Sequence, residues 1–393
     1  MSKIHIALVG GQLMPVYLGV HYCEPDKVLF VYSKQTEKEK QRLKAEFTNT
    51  KKIRSEDFLK SKPLDPVDME EIERTANSLR QKYLDDEVSL NISSGTKAWS
   101  YYFAKAFETH PNCKTFYIDQ NNNIYELKSK TSEKLKTDMM IQFKLNKNPL
   151  ESYTEFDSYT EEDFQLVEQI ETFRKKNIGI FTSLTNLDRE KQEKLKKQPS
   201  GEFDEQESGS CLSWSKEENT CKISIKKTNK GLTEQSFSSP HIFKILFNAA
   251  WFELKVAKIL SEWEKAKHIY MNCKFLVDHD MDNRFGNDPA EWNIKNEVDI
   301  IVDTGEKALF IECKTNIKES TDIDKFKTVV ESVGGNGSKA LFICLNKIGD
   351  KKKDKKKEKL KSCNMLSFSF EESKNNIVSL YEMLDREIST INK

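Results

Sequence analysis

Between Glu297 and Thr315 the chain runs through two short, almost wholly apolar stretches joined by a polar turn, and both stretches carry charge. Val298 to Val302 reads as one strand, Asp303 to Lys307 as a turn with a glycine, and Ala308 to Cys313 as the return strand of a β-hairpin. Strands this apolar belong to a sheet covered on both faces. Asp299 nevertheless interrupts the first strand, and Glu312 and Lys314 interrupt the end of the second. Charges in such places are paired or bind a metal. Glu312 and Lys314 are two apart and so share a face of their strand. The hairpin brings Asp299 close to Glu312. Paired carboxylates hold a hard divalent cation such as magnesium or manganese, and an adjacent ammonium orients water or stabilises charge developing on a phosphate. A structural ion pair on a hairpin is the plain alternative.

The layout of Asp299, twelve residues and then Glu312-Cys313-Lys314 resembles the PD-(D/E)xK nuclease superfamily, with Val298-Asp299 in place of its Pro-Asp. The rest of the chain bears on this. With 393 residues it should hold two or three domains, each with a core. The formal net charge is zero, so attraction to nucleic acid has to be local. No apolar run approaches the roughly eighteen residues of a membrane span, and Met1-Ser2-Lys3-Ile4-His5-Ile6 opens straight into a strand rather than a signal peptide. Eight scattered cysteines without a CxxC pair argue against a zinc site or a disulfide framework. The expected location is the cytoplasm.

In the N-terminal third, strands alternate with helices. Lys3 to Val9 stops at Gly10-Gly11, a helix follows from Gln12 to Tyr22, and Val28 to Tyr32 is the next strand. Two charged helices follow, from Thr36 and after Asp65-Pro66. Val88 to Ile92 is a strand that runs into Ser93-Ser94-Gly95-Thr96-Lys97 and a helix from Ala98 to Phe107. Thr115 to Ile118 and Ile124 to Leu127, joined through Asn121-Asn122-Asn123, complete a mostly parallel, doubly wound sheet. Two of its strand-to-helix turns have binding chemistry. Gly10-Gly11-Gln12 lets backbone approach a ligand, and Ser94-Gly95-Thr96-Lys97 offers hydroxyls, amide donors and a cation at a helix N-terminus, which favours phosphate. Neither matches a dinucleotide or Walker-type pattern.

From about 130 to 235 the sequence changes character and reads as a connector. It has helices at Glu161–Lys176 and Asp188–Lys197, a polar loop over 198–210, and a hairpin made from Cys211–Trp214 and Lys222–Ile225. One long helix then spans His241 to about Lys267, apolar nearly all round but containing Glu253. The loop Asp278-His279-Asp280-Met281-Asp282 starts like a calcium loop, but Asn283 and Pro289 stand where glycine and glutamate belong, so it reads simply as acidic. After the hairpin come an amphipathic helix from Asp322 to Val333, Gly334-Gly335-Asn336-Gly337, a core strand Ala340–Leu345, and a lysine-rich loop 351–361 of local charge +6. That loop reads as a solvated excursion or as a sequence-blind phosphate contact. The order helix, strand, strand, strand, helix, strand is that of a restriction-endonuclease-like core, in which Glu253 joins Asp299 and Glu312 as a third carboxylate.

Taken together, the Gly10-Gly11-Gln12 turn, Ser93-Ser94-Gly95-Thr96-Lys97, Trp251-Phe252-Glu253, Asp299 with Glu312-Cys313-Lys314, and Val333-Gly334-Gly335 resemble a CRISPR-ancillary nuclease. In that family a CARF domain, a Rossmann-like α/β unit, is fused to a restriction-endonuclease-like PD-(D/E)xK nuclease domain. The resemblance implies a CARF domain over 1–145, a connector over 146–235 and a nuclease domain over 236–393. It implies a homodimer whose paired CARF domains bind a cyclic oligoadenylate, commonly cyclic tetra-adenylate, through Gly10, Gly11, Gln12, Ser93, Ser94, Gly95, Thr96 and Lys97. The nuclease sites would cut DNA, RNA or both with little sequence preference, as part of type III CRISPR antiviral defence. Glu253, Asp299, Glu312 and the Cys313 carbonyl would hold manganese or magnesium, and Lys314 would position the attacking water. Where relatives carry a glycine-rich start before Trp-Leu-Glu, this chain has Asn248-Ala249-Ala250-Trp251-Phe252-Glu253. The rival expectations are a constitutive DNA endonuclease of restriction or repair type and a non-catalytic nucleotide sensor.

Overall fold

The computed structural model of the protein describes residues 1–227, 231–275, 296–317, 319–334, 338–348 and 355–389. The acidic loop 278–282 with Asn283 and Pro289, the Gly335-Asn336-Gly337 turn and lysines 351–353 lie outside the described residues.

The chain opens with β1 (Lys3–Leu8), α1 (Met14–Cys23), β2 (Lys27–Val31), α2 (Glu37–Asn49), α3 (Met69–Lys82), β3 (Glu87–Asn91), α4 (Lys97–Glu108), β4 (Cys113–Ile118), β5 (Asn123–Glu126) and β6 (Thr131–Lys134). The strands form one sheet in the order β2-β1-β3-β4-β5-β6. β1 to β4 are parallel, and β5 and β6 turn back antiparallel at one edge. Helices cover both faces. One core gathers Val16, Val20 and Phe47, and the other gathers Ile72, Trp99, Phe103 and Phe107. The chain winds outward from β1 in both directions, so the order reverses between β1 and β3, where open α/β sheets bind ligands.

The next elements are α5 (Met139–Leu145), β7 (Leu150–Glu155), α6 (Glu161–Lys176), α7 (Ile178–Thr185), α8 (Arg189–Lys197), and the strands β8 (Ser200–Glu205), β9 (Ser210–Ser215), β10 (Thr220–Lys227) and β11 (Gly231–Ser238). The two expected helices and the hairpin of β9 and β10 are present. However, the supposed loop 198–210 holds β8, whose Phe203 is buried beside Trp214, and residues 146–235 are more than a spacer. β7 pairs with β12 of the C-terminal sheet, and the β8–β11 meander and α6 share one continuous core with the C-terminal helices.

The C-terminal part runs α9 (Ile242–Ile245), α10 (Ala250–Ser261), β12 (His268–Phe275), β13 (Asn296–Asp303), β14 (Ala308–Lys314), α11 (Thr321–Val333), β15 (Lys339–Cys344), α12 (Lys355–Ser362), β16 (Leu366–Ser369) and α13 (Ile377–Ser389). Its sheet order is β16-β15-β14-β13-β12-β7. The long helix expected from His241 to Lys267 is instead two helices. Asn248 and Ala249 lie in the left-handed region, at φ 52° and 65°, where the chain cannot continue an α-helix. The Asn248 carboxamide oxygen accepts the Leu187 N–H at 2.8 Å and fixes the break. The lysine-rich stretch is likewise helical from Lys355. Within it Lys357 pairs with Glu372 at 2.7 Å, Lys359 pairs with Asp324, and Lys356 donates to the Ile317 carbonyl. These ammonium groups have internal partners, which weakens the phosphate-contact expectation for α12.

Candidate functional site

The hairpin forms as expected, with Ile300 opposite Ile311 and Asp303 opposite Ala308. One step further along, the Asp299 carboxylate accepts the Cys313 N–H at 2.7 Å, and Lys314 pairs with Glu312 at 2.6 Å. The sheet is irregular at this level. Asn272, on the neighbouring strand, has φ 51°, and Met271 and Cys273 on either side of it bury into different cores, as do Ile300 and Val298 on either side of Asp299. Irregularities of this kind re-aim side chains beside functional sites.

Burial and crowding set the electrostatics. Burial first, and then the Glu312 carboxylate, push Asp299 up to about 7, while Lys314 and the Cys313 N–H oppose the rise. Glu253 is raised well above the usual carboxylate range by burial, then by Asp299, again opposed by Lys314. Glu312 is raised by burial against the pull of Lys314. Burial works to lower Lys314, but Asp299 and Glu312 outweigh it and hold the ammonium protonated. Three carboxyl groups thus share a half-buried region with one ammonium, a set short of positive charge. The break at Asn248-Ala249 places Glu253 in the first turn of α10, the end of a helix that favours anions. Oxygen donors with this deficit suit a hard divalent cation. Among the described residues, however, no three acidic, histidine or cysteine side chains stand close enough to make a ready metal cage. Asp299, Glu312 and Lys314 are brought together, and Glu253 is near enough to act on them electrostatically.

The two N-terminal turns also meet, at the reversal between β1 and β3. The Gly10 N–H donates to the Ser94 hydroxyl at 2.9 Å, and a Cβ on Gly10 would stand 2.5 Å from the Gly95 nitrogen. Gly95 has φ +92°. The Ser93 hydroxyl donates to Asn91 and accepts the Ile118 N–H at 2.7 Å, which ties β3 to β4. Thr96 caps α4 by accepting the Trp99 N–H at 3.2 Å. Ser93, Ser94 and Thr96 are thereby committed to building the turn, whereas Gly11, Gln12, Gly95 and Lys97 are exposed at its surface.

A cleft of about 160 Å³ opens beside Gly11 and Gln12. Its other wall, which the sequence alone did not suggest, is the turn after β4, with Asp119, Gln120 and Asn122, together with Gln142 from α5 and Asn146 at the cap of that helix. The signal for the first group was available, because β4 is parallel to β1 and its carboxyl end must open on the same side. Asp119 folds that turn by accepting the Asn121 and Asn123 N–H groups at 2.8 and 2.9 Å.

The architecture is therefore that of an N-terminal Rossmann-like domain followed by a second α/β domain. Residues 4–148 match the family described as the Card1 CARF domain, so the N-terminal domain is of CARF type. No curated protein matches the chain. Among the solved structures that share its fold are these three. One is Can2 from Sulfobacillus thermosulfidooxidans in complex with cyclic tetra-adenylate, at 17% identity and TM-score 0.64, covering 98% of both chains. Protein VC1899 from Vibrio cholerae is 13% identical at TM-score 0.68, covering 97% of both chains. The third is a type III CRISPR defence DNA nuclease activated by cyclic oligoadenylate, at 15% identity and TM-score 0.55; the match covers 94% of this chain and 48% of that one. Among the described residues no helix is long and apolar enough to cross a membrane.

Proposed function

We propose that this chain is a cytoplasmic, cyclic-oligoadenylate-activated, metal-dependent nuclease of type III CRISPR defence, with sensing by residues 1–145 and cleavage of DNA, RNA or both by residues 236–393. The observation that carries the reading is the half-buried Asp299–Glu312–Lys314 group on the hairpin, in one chain with a CARF-type domain. Glu253, Asp299, Glu312 and the Cys313 carbonyl would hold manganese or magnesium, which when bound neutralises phosphate charge and lowers the pKa of a water. The chain's own residues do the rest. The Cys313 N–H fixes the Asp299 carboxylate. Lys314 keeps its proton and presents a positive charge where the scissile phosphate gains negative charge. The half-buried hairpin face limits access of bulk water.

Gly11, Gln12, Gly95 and Lys97 would meet the activator, Lys97 and the α4 N-terminus taking phosphate. A cleft of about 160 Å³ is smaller than the roughly 300–1,000 Å³ that holds a drug-sized ligand. A homodimer would set two such clefts against one symmetric cyclic ligand.

A second reading, a nucleotide sensor with structural acids, draws on the Lys314–Glu312 pair and on the lack of a closed three-acid cluster among the described residues. Cleavage of supercoiled plasmid and single-stranded RNA with manganese, with and without cyclic tetra- or hexa-adenylate, separates the readings. Cutting with one ring only, abolished by Glu312→Ala with Lys314→Ala, is the expected result. Tight ligand binding without cutting leaves the sensor, and cutting without ligand leaves a constitutive endonuclease.

A further inference from the structure

The seven residues of α5 belong to both halves of the molecule. Met139 and Phe143 are buried in the C-terminal core, where the Phe143 ring lies 5.2 Å from Phe275 and 5.7 Å from Phe310. Leu145 is buried in the N-terminal core, where Arg42 donates to its carbonyl at 2.8 Å. Gln142 on the same helix and Asn146 at its C-terminal cap line the cleft beside Gly11 and Gln12. Both amides are also engaged elsewhere. The Gln142 side-chain N–H donates to the Gly334 carbonyl at 2.7 Å and that of Asn146 to the Val333 carbonyl at 3.4 Å. Just beyond the cleft, Asn148 donates to the Ser332 carbonyl at 2.8 Å.

These three acceptors are the last carbonyls of α11, the groups a helix leaves without internal partners. α11 is held against the sheet by buried Ile323, Phe326, Val330 and Val333. Its thirteen residues span about 20 Å, and it starts at Thr321, directly after the short loop that follows Lys314 at the end of the hairpin's return strand. One rigid element therefore has its C-terminal end at the cleft and its N-terminal end at the acidic hairpin.

We propose that α5 couples the cleft to the hairpin through α11, with Gln142 and Asn146 as positioning residues; this rests on the ligand and nuclease reading above. Each amide spends one N–H on the Gly334 or Val333 carbonyl, and a ligand that takes the second N–H or donates to the amide oxygen re-aims the carboxamide that holds that carbonyl. Binding then changes how the end of α11 is held, and the helix transmits the change to the turn beside Glu312. The ligand shifts the equilibrium only as far as its contacts differ between the two arrangements of these amides.

The test uses the full-length chain with saturating cyclic tetra-adenylate or cyclic hexa-adenylate, and follows backbone hydrogen exchange in residues 9–15, 117–123 and 321–334. Gln142→Met keeps the length of the side chain and removes its donors. Asn148→Ala removes a contact to the same helix end from outside the cleft. In the wild type, ligand should change exchange at the cleft and along α11. In Asn148→Ala the cleft should still respond and Kd should move about threefold or less, while the α11 response shrinks and kcat for cleavage falls about tenfold; Gln142→Met should lose the α11 response in the same way and also weaken binding about tenfold. A cleft response without an α11 response in the wild type, or an undiminished α11 response in both variants, overturns the coupling. No response in any segment to either ring overturns the ligand reading, and the coupling with it.

Discussion

The two candidate sites solve opposite problems. At the N-terminal turns almost every polar side chain already has a partner: Ser94 takes the Gly10 N–H, Ser93 ties β3 to β4, and Thr96 caps α4. What remains for a ligand at these turns is exposed glycine backbone, Gln12 and Lys97. At the hairpin the polar groups are half-buried and in conflict, with Asp299 pushed up to about 7 and Glu253 well above its usual range. The first surface is complete and open, and the second is half-buried and short of positive charge. A recognition surface can be built from satisfied backbone, whereas a reaction centre stores unfavourable charge until its partner arrives.

The sharpest way to break the contrast is the Glu312→Ala/Lys314→Ala double variant. Cleavage should fall about 10³-fold while calorimetric binding of the cyclic ligand is unchanged; a parallel loss of binding would mean that the two sites are not separate. Next in size is the pair Gly10→Ala and Gly11→Ala. The first drives a methyl into Gly95 and Ser94 and should cost about 1–3 kcal/mol in a denaturant melt and abolish ligand binding. The second meets nothing within 4 Å and should leave stability within about 0.5 kcal/mol.

The pH dependence of the metal-free protein tests the other half. Asp299 has its folded pKa raised from 3.8 to about 7, so the folded state binds the extra proton. Its penalty is absent below the unfolded pKa and complete above about pH 7. Lowering the pH from 8 towards 5 should therefore raise the thermal midpoint. Asp299→Asn, which keeps the acceptor for the Cys313 N–H, should flatten that slope and raise the midpoint at pH 8 by roughly 4 °C. The smallest effect is expected at the helix break. Ala249 at φ 65° occupies a conformation that glycine adopts freely, so Ala249→Gly should stabilise the chain by about 1 kcal/mol.

Much of this was legible in the sequence where chemistry is local. The hairpin with its three charges, the Thr160-capped helix Glu161–Lys176 and the Ser93–Lys97 turn each follow from a few adjacent residues. The break at Asn248-Ala249 was hidden because the apolar pattern continues across it. It depends on the distant Leu187 N–H, which no local periodicity encodes. α5 and β7 were missed for a similar reason. They are short, and Phe143 or Leu150 makes sense only against Phe275 and Phe310, more than a hundred residues away. The cleft wall at Asp119 to Asn122 read as a turn because its asparagines are good turn formers, and its second role comes from the parallel neighbour.

β7 has a practical consequence for anyone cutting the chain into pieces. It covers the outer edge of β12, with Tyr270 paired to Glu155 and Phe275 to Leu150. A fragment starting at residue 236 would leave that edge unpaired and remove Phe143 from its seat beside Phe310. Bare strand edges recruit other strands. Such a fragment should self-associate or precipitate, whereas one starting ahead of Met139 keeps both covers and has the better prospect of remaining monodisperse.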